Sequence, residues 1–103
     1  MADAEIVLNQ RFILLGRYRV EAKVYKVEKN KKFPDGIKAR YVLIDLEERV
    51  PRLLVDNHEP FGFHMHTALP GDKNVRVGMD TNQFQEAYEE FLKEVDRILK
   101  DES

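Results

Sequence analysis

The chain has 103 residues, of which 43% are hydrophobic and 35% are charged, which is enough for one domain with one core. Its net charge of −2 argues against a protein that binds nucleic acid tightly and without specificity. The absence of cysteine excludes disulfides and thiolate metal sites. The sequence shows no signal peptide and no apolar run long enough to span a bilayer, so we expect a cytoplasmic protein without membrane contact.

Five strands are predicted, over residues 4–14, 17–28, 37–46, 49–56 and 61–67, because apolar and polar residues alternate there. A short amphipathic helix is the alternative for the first of them. In the second strand the alternation slips at Val24-Tyr25, which indicates a β-bulge. In the fourth strand Pro51 indicates either an edge position or a bulge, because proline cannot donate a ladder hydrogen bond.

A helix is predicted over residues 81–100, after a loop with a short strand near residues 75–77. Its apolar positions form one continuous stripe: Phe84, Tyr88, Phe91, Leu92, Val95, Ile98 and Leu99. Asp80, three residues before Gln83, is the predicted N-cap. We therefore expect a single α+β domain over residues 1–103, an antiparallel meander of about five strands with the C-terminal helix packed on one face.

The three histidines all lie within residues 58–66. His64 and His66 alternate with Phe63 and Met65, so both imidazoles are expected on the same exposed sheet face, opposite the helix. Asp56 precedes them on the neighbouring strand. Because imidazole titrates near neutral pH, Asp56, His64 and His66 are the candidate catalytic residues for acid/base chemistry.

The charge is uneven along the chain. Residues 1–58 carry a net charge of +3 and residues 59–103 a net charge of −5, and most of the basic excess lies within residues 17–40. The candidate substrate-binding cations on the face opposite the helix are Arg17, Arg19, Lys38, Arg40 and Arg52. We expect Arg40 or Arg52 to lie within reach of Asp56.

A cationic sheet face with two imidazoles can bind a polyanion and cleave RNA. One imidazole takes the 2′-hydroxyl proton, the other protonates the leaving oxygen, and a cation stabilises the phosphorane. The alternative is a solvated basic face without a ligand.

A metal site is a further alternative for the same residues. His64 and His66 could share one cation with Asp56 or His58 as a third ligand, but no fourth ligand is suitably spaced. We therefore predict no metal and no cofactor, and keep a divalent-metal domain as an alternative.

The order of these signals resembles the small TumE-type toxins of toxin–antitoxin pairs. The matching residues are Gly16, Glu21, segment 38–41, Asp56-Asn57, His64-Met65-His66 and the helix from Phe84. The resemblance implies the toxin of a type II pair, which inhibits growth, acts on RNA and is neutralised by a helix-turn-helix antitoxin. The alternative class is a non-enzymatic protein-interaction module whose basic face docks an acidic partner.

Overall fold

The computed structural model describes residues 5–57, 62–72 and 74–102. Within them the chain forms six strands and one helix. These elements are β1 (Glu5–Leu14), β2 (Tyr18–Lys26), β3 (Ile37–Asp45), β4 (Val50–Asp56), β5 (His64–His66), β6 (Arg76–Gly78) and α1 (Phe84–Glu102). None of the helical structure in these ranges is both long and apolar enough to cross a membrane.

The strands form one antiparallel sheet in the order β1-β2-β3-β4-β5-β6, so every strand pairs with its neighbours in the sequence. Helix α1 packs on β3 and β4. The predicted α+β meander with one covering helix is confirmed. The sheet has six strands instead of about five because the short run near residues 75–77 pairs with β5 as β6.

The core lies between α1 and one face of the sheet, which we call the helix face. It consists of alternate residues of the strands and the predicted stripe of the helix, including Val20, Leu43, Leu53 and Phe91, all without solvent exposure. Burying one such side chain stabilises the fold by about 1.5–3 kcal/mol. The parity of the apolar residues therefore determines which face of the sheet the helix covers.

Tyr41 connects the sheet to the start of the helix. Its ring centroid lies 5.0 Å from that of Tyr88 and 5.7 Å from that of Phe91. The buried hydroxyl donates a hydrogen bond to the Phe84 carbonyl oxygen at 2.8 Å. Burial raises the pKa of Tyr41 well above its usual range, so the hydroxyl remains a neutral donor.

Helix α1 begins three residues later than predicted, and Asp80 is not its N-cap. The Gln83 carbonyl accepts the Ala87 N–H at 3.1 Å, which marks the first turn of the helix. Thr81 Oγ1 accepts the Gln83 N–H at 3.1 Å and donates to Glu86 Oε2 at 3.0 Å. The hydroxyl of Thr81 therefore serves the helix start, in place of the carboxylate of Asp80.

Two bulges modify the sheet. The bulge predicted at Val24-Tyr25 of β2 lies instead in the partner strand. Val7 of β1 is the extra residue opposite this pair. In β4 the pairing with β3 skips Arg52, directly after Pro51. Of the two alternatives predicted for Pro51, an edge position or a bulge, the bulge is correct, because β4 lies inside the sheet.

Candidate functional site

The face opposite α1, which we call the second face, carries a row of charged and imidazole side chains. Lys23 lies opposite Arg40, Arg40 opposite Asp56, and Asp56 opposite His64. Residues directly opposite each other share a face, with Cβ atoms about 4.5–5.5 Å apart. We call Lys23, Arg40, Asp56 and His64 the histidine row. It brings Asp56, His64 and Arg40 into one row. The catalytic role of Asp56 and His64 and the substrate-binding role of Arg40 stay predictions.

The two imidazoles of β5 are in edge contact, with ring centroids 5.0 Å apart and an interplanar angle of 70°. His64 Nδ1 lies 2.8 Å from the Gly62 carbonyl oxygen. A carbonyl oxygen can only accept, so Nδ1 carries the hydrogen. In the neutral ring Nε2 of His64 is then the basic nitrogen.

Both imidazoles are buried, and the prediction that they lie on an exposed face is wrong in this respect. His64 is 1% exposed and His66 is 8% exposed. Val42, on the same face, is 5% exposed. Strand alternation determines which way a side chain leaves the sheet but not whether that side of the sheet is open to solvent.

Arg76 is a residue near the site that the sequence analysis did not select. It lies opposite His66 on β6, and His66 lies opposite Leu54 on β4. The signal in the sequence was the parity of the short run around residue 76. Three residues are too few to show by alternation alone which face Arg76 lies on, unless the partner strand is known.

Arg17 and Arg52 do not belong to the second face. Arg17 Nε and Nη2 donate to Asp45 Oδ1 and Oδ2 at 3.1 and 2.9 Å. Arg52 Nη1 lies 3.8 Å from Asp45 Oδ2. Asp45 is fully buried and lies opposite Tyr18, which is on the helix face. The predicted position of both arginines is therefore wrong, and for Arg52 the β4 bulge is the cause.

The Asp45 carboxylate ties two turns of the sheet together. Its Oδ1 atom accepts the backbone N–H groups of Glu47 and Glu48 at 3.0 and 3.1 Å, besides the hydrogen bonds from Arg17. The hydrogen-bonded Arg17 guanidinium, helped by these N–H groups, lowers the pKa of Asp45 to about 2. The contacts of Arg17 are thus those of a structural ion pair.

Arg19 and Lys38 lie on the second face but away from the histidines. Arg19 is opposite Ile44, and its Nε atom is 3.4 Å from Glu21 Oε2. Lys38 Nζ lies 6.0 Å from the Phe33 ring centroid. Of the five cations proposed for substrate binding, Arg40 is therefore the one that the strand register places in the histidine row.

Asn57, the second residue of the Asp-Asn pair, performs a structural task. Its Oδ1 atom accepts the Ala39 N–H at 3.0 Å, and its Nδ2 donates to the Ile37 carbonyl at 2.8 Å. The side-chain amide thereby continues the β3–β4 ladder beyond the last residue of β4. Asp56 Oδ1 accepts the Asn57 N–H at 2.7 Å, so this carboxylate also fixes the end of the strand.

No group of three His, Cys, Asp or Glu side chains suited to a metal ion occurs within residues 5–57, 62–72 and 74–101. His58, the third ligand considered in the sequence analysis, lies outside the described residues.

Comparison with protein-family models, with curated proteins and with solved structures finds no match to this chain.

Proposed function

We propose that this chain is the toxin of a type II toxin–antitoxin pair, a metal-independent nuclease directed at RNA in the cytoplasm and neutralised by a helix-turn-helix antitoxin. The observation that supports this proposal is the alignment of Arg40, Asp56 and His64 across three strands, with His66 in contact with His64. An imidazole can move the protons in metal-free RNA cleavage, and a cation can stabilise the charge that develops on the phosphate.

Because the two imidazoles differ in exposure, we assign them different roles. His66 is the more exposed of the two and is the imidazole that contacts the substrate. It takes the proton of the 2′-hydroxyl, which attacks the phosphorus, and returns that proton to the departing 5′-oxygen. The products are a 2′,3′-cyclic phosphate and a 5′-hydroxyl. Arg76, directly opposite His66 on β6, and Arg40 supply positive charge for the phosphorane.

His64 and Asp56 act behind His66 as positioning residues. The Gly62 carbonyl fixes the orientation of the His64 ring, whose edge contact with His66 limits the rotation of that second ring. The Asp56 carboxylate lies directly opposite His64 on β4 and places a negative charge beside that ring.

The same burial favours a second candidate, a non-enzymatic protein-interaction module. A fully buried imidazole cannot touch a substrate, and Arg17 and Arg19 are engaged with carboxylates of the chain itself. In that case the basic residues of the second face dock an acidic partner, and the histidines only contribute to packing.

Growth after induced expression in bacteria separates the two candidates. We expect the wild-type chain to slow growth, and co-expression of a helix-turn-helix protein encoded beside its gene, the proposed antitoxin, to restore it. His66→Gln, which keeps a polar side chain of similar size, should relieve the inhibition at equal abundance. Lys93→Gln, on the exposed side of α1, is the matched control and should leave the inhibition intact.

The outcome for His66→Gln decides the function. Inhibition that persists in this variant at wild-type abundance, or normal growth with the wild-type chain, favours the interaction module. Thermal unfolding of the purified variant shows whether relief of inhibition reflects chemistry or a loss of folded protein.

A further inference from the structure

Strand β1 is an exposed edge of the sheet with apolar side chains along its length. Ile6, Val7, Phe12 and Ile13 are 60%, 43%, 36% and 53% exposed. Among the described residues β1 pairs only with β2, so one side of its backbone offers a row of free N–H and C=O groups over ten residues. Edges of this kind are templates for pairing with another strand.

The usual devices that protect an edge strand are nearly absent from β1. Glu5–Leu14 contains no proline and no lysine, and its single bulge, at Val7, lies near one end. The opposite edge differs, because β6 has three residues. One edge is therefore too short for pairing, whereas the other is long, exposed and apolar.

We propose that β1 pairs antiparallel with β1 of a second copy of this chain, about a two-fold axis at Gln10, to give a continuous sheet across the dimer. A two-fold axis perpendicular to the sheet keeps each residue on its own face. With the axis at Gln10, Leu8 lies opposite Phe12 of the partner subunit. Asn9 then lies opposite Arg11 of the partner subunit.

The side chains that face each other favour this register over those with the axis one residue away. An axis at Arg11 would place two guanidinium groups directly opposite each other, which destabilises strand pairs. An axis at Asn9 would place Leu8 opposite Gln10. Only the axis at Gln10 joins Leu8 to Phe12, the two apolar residues that flank Gln10 on the helix face.

Charge and area also fit a second copy. The charges of Glu5 and Arg11 cancel within β1, so two copies meet along a neutral strand although each chain carries −2 overall. About this axis the two strands overlap over residues 6–14, and their pairing buries on the order of 1,000 Å² in total, the lower bound for a specific interface. The dimer should therefore dissociate on dilution.

Sedimentation equilibrium over a range of concentrations tests the surface. We expect a monomer–dimer equilibrium for the wild-type chain, and a dissociation constant at least about tenfold higher for Ile13→Lys, because two lysines then enter the interface. Val77→Lys changes an equally exposed apolar residue on β6 and should leave the constant unchanged. A wild-type chain that stays monomeric up to millimolar concentration, or a dimer insensitive to Ile13→Lys, overturns the proposal.

Charge variants test the register. Asn9→Glu places a carboxylate opposite Arg11 of the partner subunit twice per dimer and should tighten it severalfold. Asn9→Glu combined with Arg11→Glu puts like charges opposite each other and should weaken the dimer below the wild type. Gln85→Glu, the same charge change on α1, is the control and should have no effect. Equal effects of all three variants would contradict the register.

Cross-linking tests the axis itself, because the chain contains no cysteine. Gln10→Cys places two thiols directly opposite each other and should give an intermolecular disulfide on mild oxidation. Asn9→Cys places them about two residues apart along the strands, beyond disulfide distance, and should not. Efficient cross-linking of Asn9→Cys without that of Gln10→Cys moves the axis and overturns the stated pairing.

Discussion

The two faces of the sheet both bury side chains, but they bury different chemistry. On the helix face the core is mainly apolar, and its buried polar groups, the Tyr41 hydroxyl and the Asp45 carboxylate, are hydrogen-bonded. On the second face the buried side chains include two imidazoles, of which His64 lies in register with Asp56 and Arg40. Burial of apolar groups stabilises a fold, whereas burial of an imidazole costs free energy unless new hydrogen bonds replace those to water. Stability alone accounts for the first face, whereas the buried imidazoles of the second face are the basis of the proposed function.

The largest expected effect comes from placing a charge in the helix-face core. Phe91 has no solvent exposure, so Phe91→Asp should cost more than about 4 kcal/mol of unfolding free energy and abolish the cooperative thermal transition. Circular dichroism on heating is the measurement. Val75→Asp, at a residue that is 41% exposed, should unfold nearly as the wild type does. A folded Phe91→Asp variant would contradict the description of this core.

The next effect is the dependence of stability on pH through Asp45. The pKa of this carboxyl is lowered from 3.8 to about 2 in the folded chain. Its contribution to stability is therefore complete above pH 4 and declines as the pH falls towards 2. We expect the melting temperature to fall across that interval.

Asp45→Asn should lower the melting temperature at neutral pH by several degrees and flatten the decline between pH 4 and pH 2. The exposed Glu47→Gln, which changes a carboxylate 3.5 Å from the same Arg17, is the control and should keep the wild-type slope. If the melting temperature of both variants falls between pH 4 and pH 2 as much as that of the wild type, the Asp45 ion pair is not the cause of the fall.

A direct comparison of the two faces uses one buried residue from each. Leu53→Ala on the helix face should cost about 2–5 kcal/mol, the usual range for a buried leucine. His64→Ala should cost about 1–2 kcal/mol, since removal of an imidazole also removes its desolvation cost. Chemical denaturation gives both values. Equal losses would mean that the second face is a structural core like the first.

The smallest effects concern tyrosine hydroxyls. Tyr41→Phe leaves the buried Phe84 carbonyl without its donor and should cost about 1–2 kcal/mol. Tyr88→Phe removes an exposed hydrogen bond of 2.6 Å to Gln10 Oε1 and should cost about 0.5 kcal/mol. The difference between the losses of unfolding free energy in the two variants measures how far water is excluded from the Tyr41 hydroxyl. A larger loss for Tyr88→Phe would contradict that ranking.

Much of the fold could be predicted from period and parity. The alternation in β2 and β3 and the stripe from Phe84 to Leu99 each determine which side is buried, so the helix face was predictable residue by residue. The start of α1 was not, because Asp80, Thr81 and Asn82 are all favourable N-caps and local sequence does not choose among them.

The candidate site was predictable only in part. Parity predicted His64, Asp56 and Arg40 on one face, and the register places them directly across neighbouring strands. The face on which Arg52 lies was predicted wrongly, because a bulge changes the parity of the residues around it. Pro51 indicates such a bulge but does not show which residue is the extra one. The burial of His64 depends on the tertiary environment of the second face, which strand patterns do not contain.

Cleavage of RNA by the purified chain in the presence of EDTA is the measurement that tests the central claim most directly. The account predicts 2′,3′-cyclic phosphate ends with the wild-type chain. It also predicts a loss of at least about 100-fold in rate for His66→Gln, with the melting temperature little changed. Absence of cleavage by the wild type, or a His66→Gln variant that cleaves at the wild-type rate, would contradict a nuclease acting through the histidines of the second face.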